Sequence, residues 1–214
     1  MERFNFHNIF AKIGKKVRQK GIKMNSVEPI RDPLKIIAIK RILKKEKNPR
    51  NYLLFVMGIN LALRISDLLA LKVKDVVNEK GEIADYIYLK EKKTNKSKKI
   101  KVNQVVKEAL QFFFSKSHLT DPEQFLFTSL RSNKTLDRVQ VWQLINKWCR
   151  NVGLYTERYG THTLRKTWGY QARMQGVSLE RIQAKLGHTS PSVTRRYIGI
   201  SQEEINRIED EICL

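Results

Sequence analysis

From Pro29 onward, apolar positions recur at helical spacing through most of the chain and switch once to alternation. Asp32 followed by Pro33 supplies a side-chain acceptor and then a first helical residue with no N–H to satisfy, so DPLKIIAIKRILKKEK reads as a helix. Asn48 and Pro49 repeat the device for a second helix through NYLLFVMGINLAL. Its Leu53, Leu54, Val56, Met57, Ile59 and Leu61 fill more than one face, which places this helix at the centre of the core. Ser66 then caps a short helix with Asp67 in its first turn. From Ile83 the pattern becomes IADYIYLK, a polar turn KEKKTNKSK, and KIKV. Alternating and β-branched residues on both sides of that turn predict an antiparallel hairpin, with a third short strand between Lys72 and Val77.

After Asn103 the helical period returns in VVKEALQFFFSKS. Asp137 caps DRVQVWQLINKWCRNVG, where Val139, Trp142, Leu144, Ile145, Trp148 and Cys149 read as core and Gly153 marks the end. The stretch from Thr161 to Ile200 carries three further helices in series. One starts at Thr161 or Thr163; SLERIQAKL is capped by Ser178 and closed by Gly187; SPSVTRRYI is opened by Ser190 and Pro191 and closed by Gly199. His188 falls in the short turn between the last two, and Tyr197 at the far end of the last.

Both ends differ from this middle. In residues 1–29, Phe6, Ile9, Phe10, Ile13 and Val17 are near helical spacing among lysines and arginines, consistent with a basic amphipathic helix lying on nucleic acid or on a neighbouring subunit, or with a basic tail. At the other end, Ile205, Ile208 and Ile212 predict a helix over 202–213 in a locally acidic segment. It either closes its own domain or docks into a second copy.

A length of 214 residues fits one main domain. Charge narrows the partner: 42 Lys and Arg against 21 Asp and Glu leave a net +21, which points to a polyanion, nucleic acid before an anionic membrane surface. The sequence has no long uncharged apolar run and no signal-peptide core, so neither a membrane span nor export is expected. Cys149 and Cys213 lack metal-ligand spacing and fit a reducing, cytoplasmic setting.

The candidate chemistry is concentrated between Thr161 and Ile200. His162 and Arg165 are three residues apart and project from one face of a helix, within about 6 Å of each other. A tyrosine hydroxyl is a weak nucleophile near neutrality unless neighbours take its proton and offset charge on the group attacked. Arginine does the second job, because its planar fork binds two phosphate oxygens and stays charged. Arg64, flanked by apolar residues, needs an anionic partner, which is Asp67 or Asp75 within the chain, or a phosphate from outside. Tyr86, Tyr88 and Tyr170 fit packing positions with satisfied hydroxyls. His7 and His118 have no partners in the sequence.

Three spacings together, His162-x-x-Arg165, then Leu186-Gly187-His188, then Tyr197 nine residues later, resemble the C-terminal half of the tyrosine recombinase (phage integrase) family. Upstream, Leu63-Arg64-Ile65-Ser66-Asp67-Leu68-Leu69 is similar to the family's first arginine box, and Lys93-Thr94-Asn95 to its lysine turn, with Lys96 as the alternative lysine. The resemblance runs from about Pro29 to the C-terminus. It implies an α+β fold: a mainly helical catalytic domain over 30–214 with a small antiparallel three-stranded sheet. It also implies a site-specific DNA recombinase acting through a 3′-phosphotyrosyl intermediate, for integration, excision or inversion.

On that resemblance Tyr197 is the nucleophile, Arg64 and Arg165 hold the phosphate, His162 handles the tyrosine proton, His188 donates to the phosphate, and Lys93 protonates the leaving oxygen. No ATP, metal or other cofactor is implied. The implied partners are double-stranded DNA and further copies of the chain, a tetramer on DNA joined through the C-terminal helix, in a cytoplasmic, nucleoid-associated setting. Family members usually carry a separate helical DNA-binding domain ahead of the catalytic one. Residues before Pro29 are too few for it, so the likeness is to short single-domain members or a truncated integrase. Two other functions remain in view: a helix-turn-helix regulator or accessory, suggested by SLERIQAKLGHTSPSVTRRY, and a type IB topoisomerase sharing the tyrosine chemistry.

Overall fold

The computed structural model describes residues 27–117, 119–129, 134–155 and 158–200, together with positions 206 and 210–212. His7, His118, Cys213, the N-terminal amphipathic helix and most of the C-terminal helix lie outside the described residues. Named here in chain order, the helices are α1 (Pro33–Lys45), α2 (Pro49–Leu61), α3 (Ile65–Leu68), α4 (Gln104–Lys116), α5 (Arg138–Asn151), α6 (Thr163–Met174), α7 (Leu179–Leu186) and α8 (Pro191–Ile198). Strands β1 (Tyr86–Lys90) and β2 (Ser97–Lys101) form the hairpin between α3 and α4. No helix among the described residues is long and apolar enough to cross a membrane.

Capping sets several helix starts as the sequence predicts, although Ser178 makes no side-chain cap bond at the start of α7. Asp32 Oδ1 accepts from Leu34 N at 2.8 Å, Asn48 Oδ1 from Arg50 N at 3.2 Å, and Asp137 Oδ1 from Gln140 N at 2.7 Å. The short helix α3 departs from expectation. Arg64, not Ser66, occupies the cap position, because Arg64 carbonyl already accepts from Asp67 and Leu68 N–H groups.

The central helix is α2, with Leu53, Leu54, Phe55, Val56 and Met57 all buried against α1, α4 and α6. Each such side chain contributes roughly 1.5–3 kcal/mol through apolar burial. A second, smaller core of Ala62, Ile182, Leu186 and Ile198 joins α7 and α8 to the end of α2, with Trp168 of α6 and Tyr197 packed on it. Residues 27–31 run beside α6: Thr163 Oγ1 donates to Glu28 carbonyl at 2.9 Å and Ile30 N to Thr167 Oγ1 at 2.8 Å.

Helix α6 is pressed between its neighbours at two glycines. A Cβ on Gly58 of α2 would overlap Leu164, and one on Gly169 would stand 2.6 Å from Ile198 Cγ2 of α8. Gly169→Ala therefore forces α8 away from α6. Overpacking of this kind costs about 1–3 kcal/mol, and a fall in Tm of roughly 2–12 °C is expected in a thermal melt. An unchanged Tm would mean that α8 is not seated as tightly as this contact requires.

The expected third strand is absent as a ladder among the described residues; the sheet is two-stranded, in order β1-β2. Asp75 carboxylate accepts from Lys72 N–H at 2.8 Å and winds Val73–Asp75 into a 3₁₀ turn. Only isolated bridges, Lys72 to Phe125 and Val77 to Ile83, remain of the strand. Within the hairpin Ile87 faces Ile100 on the buried side. The outer side carries Tyr86 and Tyr88 under Lys99, whose Nζ lies 4.2 and 5.6 Å from the two rings. Both tyrosines are thus exposed rather than core, Tyr88 by 66%.

Helix α5 corrects a second expectation. Trp148, Ile145 and Cys149 are buried, but Val139 is exposed and Trp142 is 50% exposed, because the helix buries one stripe and these two fall beside or opposite it. Trp142 instead lies over Gly160, its Cδ1 3.3 Å from where a Cβ would sit.

Candidate active site

Three helix junctions converge beside the second core: the α2–α3 corner, the start of α6, and the α7–α8 turn. At the first, α2 ends on Ala62 in the left-handed region, φ 56°. That turn presents Ala62 carbonyl to Arg165, whose Nη1 donates to it at 2.6 Å, while Nη2 donates to Leu186 carbonyl at the end of α7. Arg165 is 3% exposed, and its fork joins two helix ends whose carbonyls would otherwise lack partners. Gly187, at φ 64°, closes α7 and turns the chain so that His188 faces α8.

Tyr197 meets both histidines. Its hydroxyl is 3.1 Å from His162 Nδ1, and its ring centre is 4.7 Å from that of His188 in an edge-on contact. His188 Nδ1 is engaged by Thr194 Oγ1 at 3.2 Å, which leaves Nε2 for a ligand. Lys166 Nζ lies 5.3 Å from the Tyr197 ring centre. Arg64 is part-buried, with Nη1 2.7 Å from Glu91 Oε1. The partner is neither Asp67 nor Asp75: Asp67 instead accepts Lys92 N–H at 3.1 Å, and Asp75 caps Lys72.

Burial first, and then the clustering of cations, shape the titrations here. Desolvation, followed by repulsion from Arg165 and then Arg64 and Lys98, pulls His188 from 6.5 to about 4. His162 keeps an exposed face, yet desolvation of its ring, then Arg165, Arg138 and Lys166, lower it too. Both imidazoles are therefore neutral near pH 7. Burial raises the Tyr197 hydroxyl, with Arg165 and Arg64 pulling the other way.

For His188 the folded value lies below the unfolded one, so its stabilising effect is complete above about pH 6.5 and is lost as pH falls toward about 4. Melts of the DNA-free protein are expected to show Tm falling across that window. His188→Asn should flatten the fall; an unchanged slope would mean that His188 is not held neutral by its surroundings.

The structure brings Arg64, His162, Arg165, His188 and Tyr197 into one cluster. Lys93 is exposed in the hairpin turn, and Lys96 is exposed as well. Of the hairpin lysines, Lys98 reaches toward the cluster, with Nζ 2.8 Å from Glu91 Oε1 and 3.5 Å from Lys185 carbonyl. Sequence reasoning missed Glu91, Lys98 and Thr194. The single signal for Glu91 is an acid inside a lysine-rich turn, and six other lysines between 90 and 101 hide Lys98.

The helical domain is that of a tyrosine recombinase catalytic domain. A sequence model described as the phage integrase family matches residues 31–204. The probable integrase/recombinase YoeC of Bacillus subtilis is 40% identical over 180 residues, covering 84% of this chain and 93% of that protein. The tyrosine recombinase XerC of Thermodesulfovibrio yellowstonii is 31% identical over 159 residues, covering 70% of this chain and 50% of its own length. Among solved structures, a XerA recombinase superposes with TM-score 0.66 at 20% identity, over 89% of this chain and 65% of that one. A XerH recombinase bound to its difH substrate in a post-cleavage complex gives TM-score 0.67 at 20% identity, over 89% and 54%. The chain belongs to the phage integrase family of tyrosine recombinases. It spans about half the length of the XerC relative. The family does not favour the helix-turn-helix regulator or the topoisomerase.

Proposed function

We propose that this chain cuts and rejoins double-stranded DNA at a specific site through Tyr197. The observation that carries this reading is the Tyr197 hydroxyl 3.1 Å from a neutral His162 Nδ1, beside the Arg165 and Arg64 guanidinium groups. Tyr197 Oη attacks a phosphodiester phosphorus and its proton passes to His162. Arg64, Arg165 and His188 Nε2 hold the non-bridging oxygens as negative charge builds on them. The bond to the 5′ oxygen breaks, and Lys93 in the hairpin turn gives that oxygen its proton. The product is a 3′-phosphotyrosyl link with a free 5′-hydroxyl. Attack by the 5′-hydroxyl of another strand reverses the step, so the energy of the broken bond is retained and the outcome is integration, excision or inversion.

The catalytic domain spans 30–214, with residues 27–29 already bound to α6, and residues 1–29 contribute basic charge to the DNA interface. Copies assemble on DNA as a tetramer in which the helix over 202–213 docks into a neighbour. A λ integrase fragment solved as a dimer on its core-site DNA supports an oligomeric arrangement. The protein acts on cytoplasmic, nucleoid DNA.

The test is covalent trapping. The protein is mixed with nicked duplexes carrying a randomised site, so that the 5′ fragment diffuses away and cleavage cannot reverse, and is then denatured. A protein–DNA adduct is expected, and sequencing its DNA reads out the site. Binding without any adduct on any duplex would overturn the catalytic reading.

A further inference from the structure

Glu91 lies one residue beyond β1, at the root of the turn that carries Lys93, and is 3% exposed. Its Oε1 is shared by two cations, Arg64 Nη1 at 2.7 Å and Lys98 Nζ at 2.8 Å, and its Oε2 accepts from the Thr94 hydroxyl. Lys98, from β2, continues to Lys185 carbonyl at 3.5 Å. The next carbonyl along, that of Leu186, receives Arg165. A chain of contacts therefore runs behind the cluster, from Arg64 through Glu91 and Lys98 to the end of α7 and back to Arg165.

We propose that Glu91 and Lys98 form a buried strut that fixes Arg64 relative to Arg165, which makes Glu91 a positioning residue for the phosphate clamp. The inference rests on the recombinase reading given above. A buried carboxylate is tolerable only when it is paired and hydrogen-bonded. Burial alone would raise the Glu91 carboxyl, but the bonds from Lys98, Thr94 and Arg64 prevail and hold it down at about 2, so the strut stays charged at any working pH. Arg64 has five N–H donors in a rigid fork. Holding one of its nitrogens in an ion pair with Glu91 restricts the fork and aims its remaining donors at an incoming phosphate.

The turn is held by the same device. Glu91 N donates to Lys96 carbonyl at 2.9 Å, Asn95 N to Glu91 carbonyl at 2.8 Å, and Lys92 N to Asp67 of α3 at 3.1 Å. Arg64, Lys93 and the α7 end thus share one rigid base. Nothing in the sequence reports this, because Arg64 and Glu91 are joined only when the hairpin folds back on α3.

Glu91→Gln tests the strut. The amide oxygen accepts from one cation while its NH₂ repels the other, so Arg64 loses its fixed aim although the site becomes one charge more positive. Adduct formation on the nicked duplex is expected to slow about 10- to 100-fold, with duplex affinity unchanged or tighter. Nitrogen NMR of the free protein gives a second readout: the Arg64 guanidinium signal, assigned with Arg64→Lys, should show hindered rotation in the wild type and free rotation in Glu91→Gln. Should Glu91→Gln fail to fold, Lys98→Met removes the other end of the strut, and an adduct rate reduced about 10-fold is expected. Wild-type adduct rates in the folded variants would overturn the proposal. If the wild type itself forms no adduct, the recombinase reading fails, and the NMR decides the strut alone: hindered rotation persisting in Glu91→Gln would overturn it.

Discussion

Tyr197→Phe is expected to lower adduct formation at least about 10⁴-fold, the scale on which an enzyme loses its nucleophile. The change removes one oxygen and little else. The ring keeps its edge contact with His188 and its place beside Lys166, and α8 keeps its caps at Ser190 and Gly199. What is lost is the hydroxyl facing His162 and Arg165, with contacts worth about 1 kcal/mol each to stability. Duplex affinity should therefore stay within a few fold of the wild type while the adduct disappears. The measurement is denaturing electrophoresis beside a binding assay on the same nicked duplex. An adduct that survives the change would place the nucleophile on another residue. Loss of binding together with the adduct would mean that the hydroxyl serves recognition rather than attack.

Arg165→Lys carries the second large effect, and it acts on stability and rate together. The guanidinium spans Ala62 carbonyl and Leu186 carbonyl, and a single ammonium cannot reach both along those two directions. Hydrogen bonds to charged groups are worth about 1.5–3 kcal/mol each. Losing one of them, with the other lengthened, should cost about 2–4 kcal/mol, partly offset because desolvation already penalises this cation and lowers its pKa. Tm is expected to drop by roughly 5–15 °C for a chain of this size.

The rate should fall about 10³-fold, because the lysine provides one donor where the developing charge needs a fork. Both numbers come from the same atoms, so they should move together. A variant that cleaves at the wild-type rate would remove Arg165 from the phosphate clamp. One that melts at the wild-type temperature would show that the two carbonyls find other donors.

Helix starts were readable from the chain because capping is local. Asp32, Asn48, Asp137 and Ser190 each bind an N–H two or three residues on, and the cap needs no distant partner. Gly187 and Gly199 were readable for the same reason, since their positive φ is set within one turn. Buried stripes were less secure. Helical period identifies a face but not its width, so it puts Trp142 and Val139 inside, whereas the buried stripe runs through Val141, Ile145, Trp148 and Cys149. The third strand failed on a local competitor, the Asp75 carboxylate, which stabilises a turn where the β-branched run suggested extension.

Within the site, residue types and their spacing are legible in the chain: His162 with Arg165, Leu186-Gly187-His188, and Tyr197, each on or beside a helix end. So is the strong positive charge that suits a polyanion. The partners depend on packing between distant elements. Arg64 could be assigned to Asp67 or Asp75 from sequence, and it pairs with Glu91, twenty-seven positions away, because the hairpin folds across α3. Lys98 was one lysine among seven, and it enters the site because β2 pairs in a register that turns it toward the end of α7. Caps and periodicity follow from bonds within a few residues. Ion pairs between elements depend on how whole elements pack, and burial then selects the pair that leaves the fewest charges unmatched.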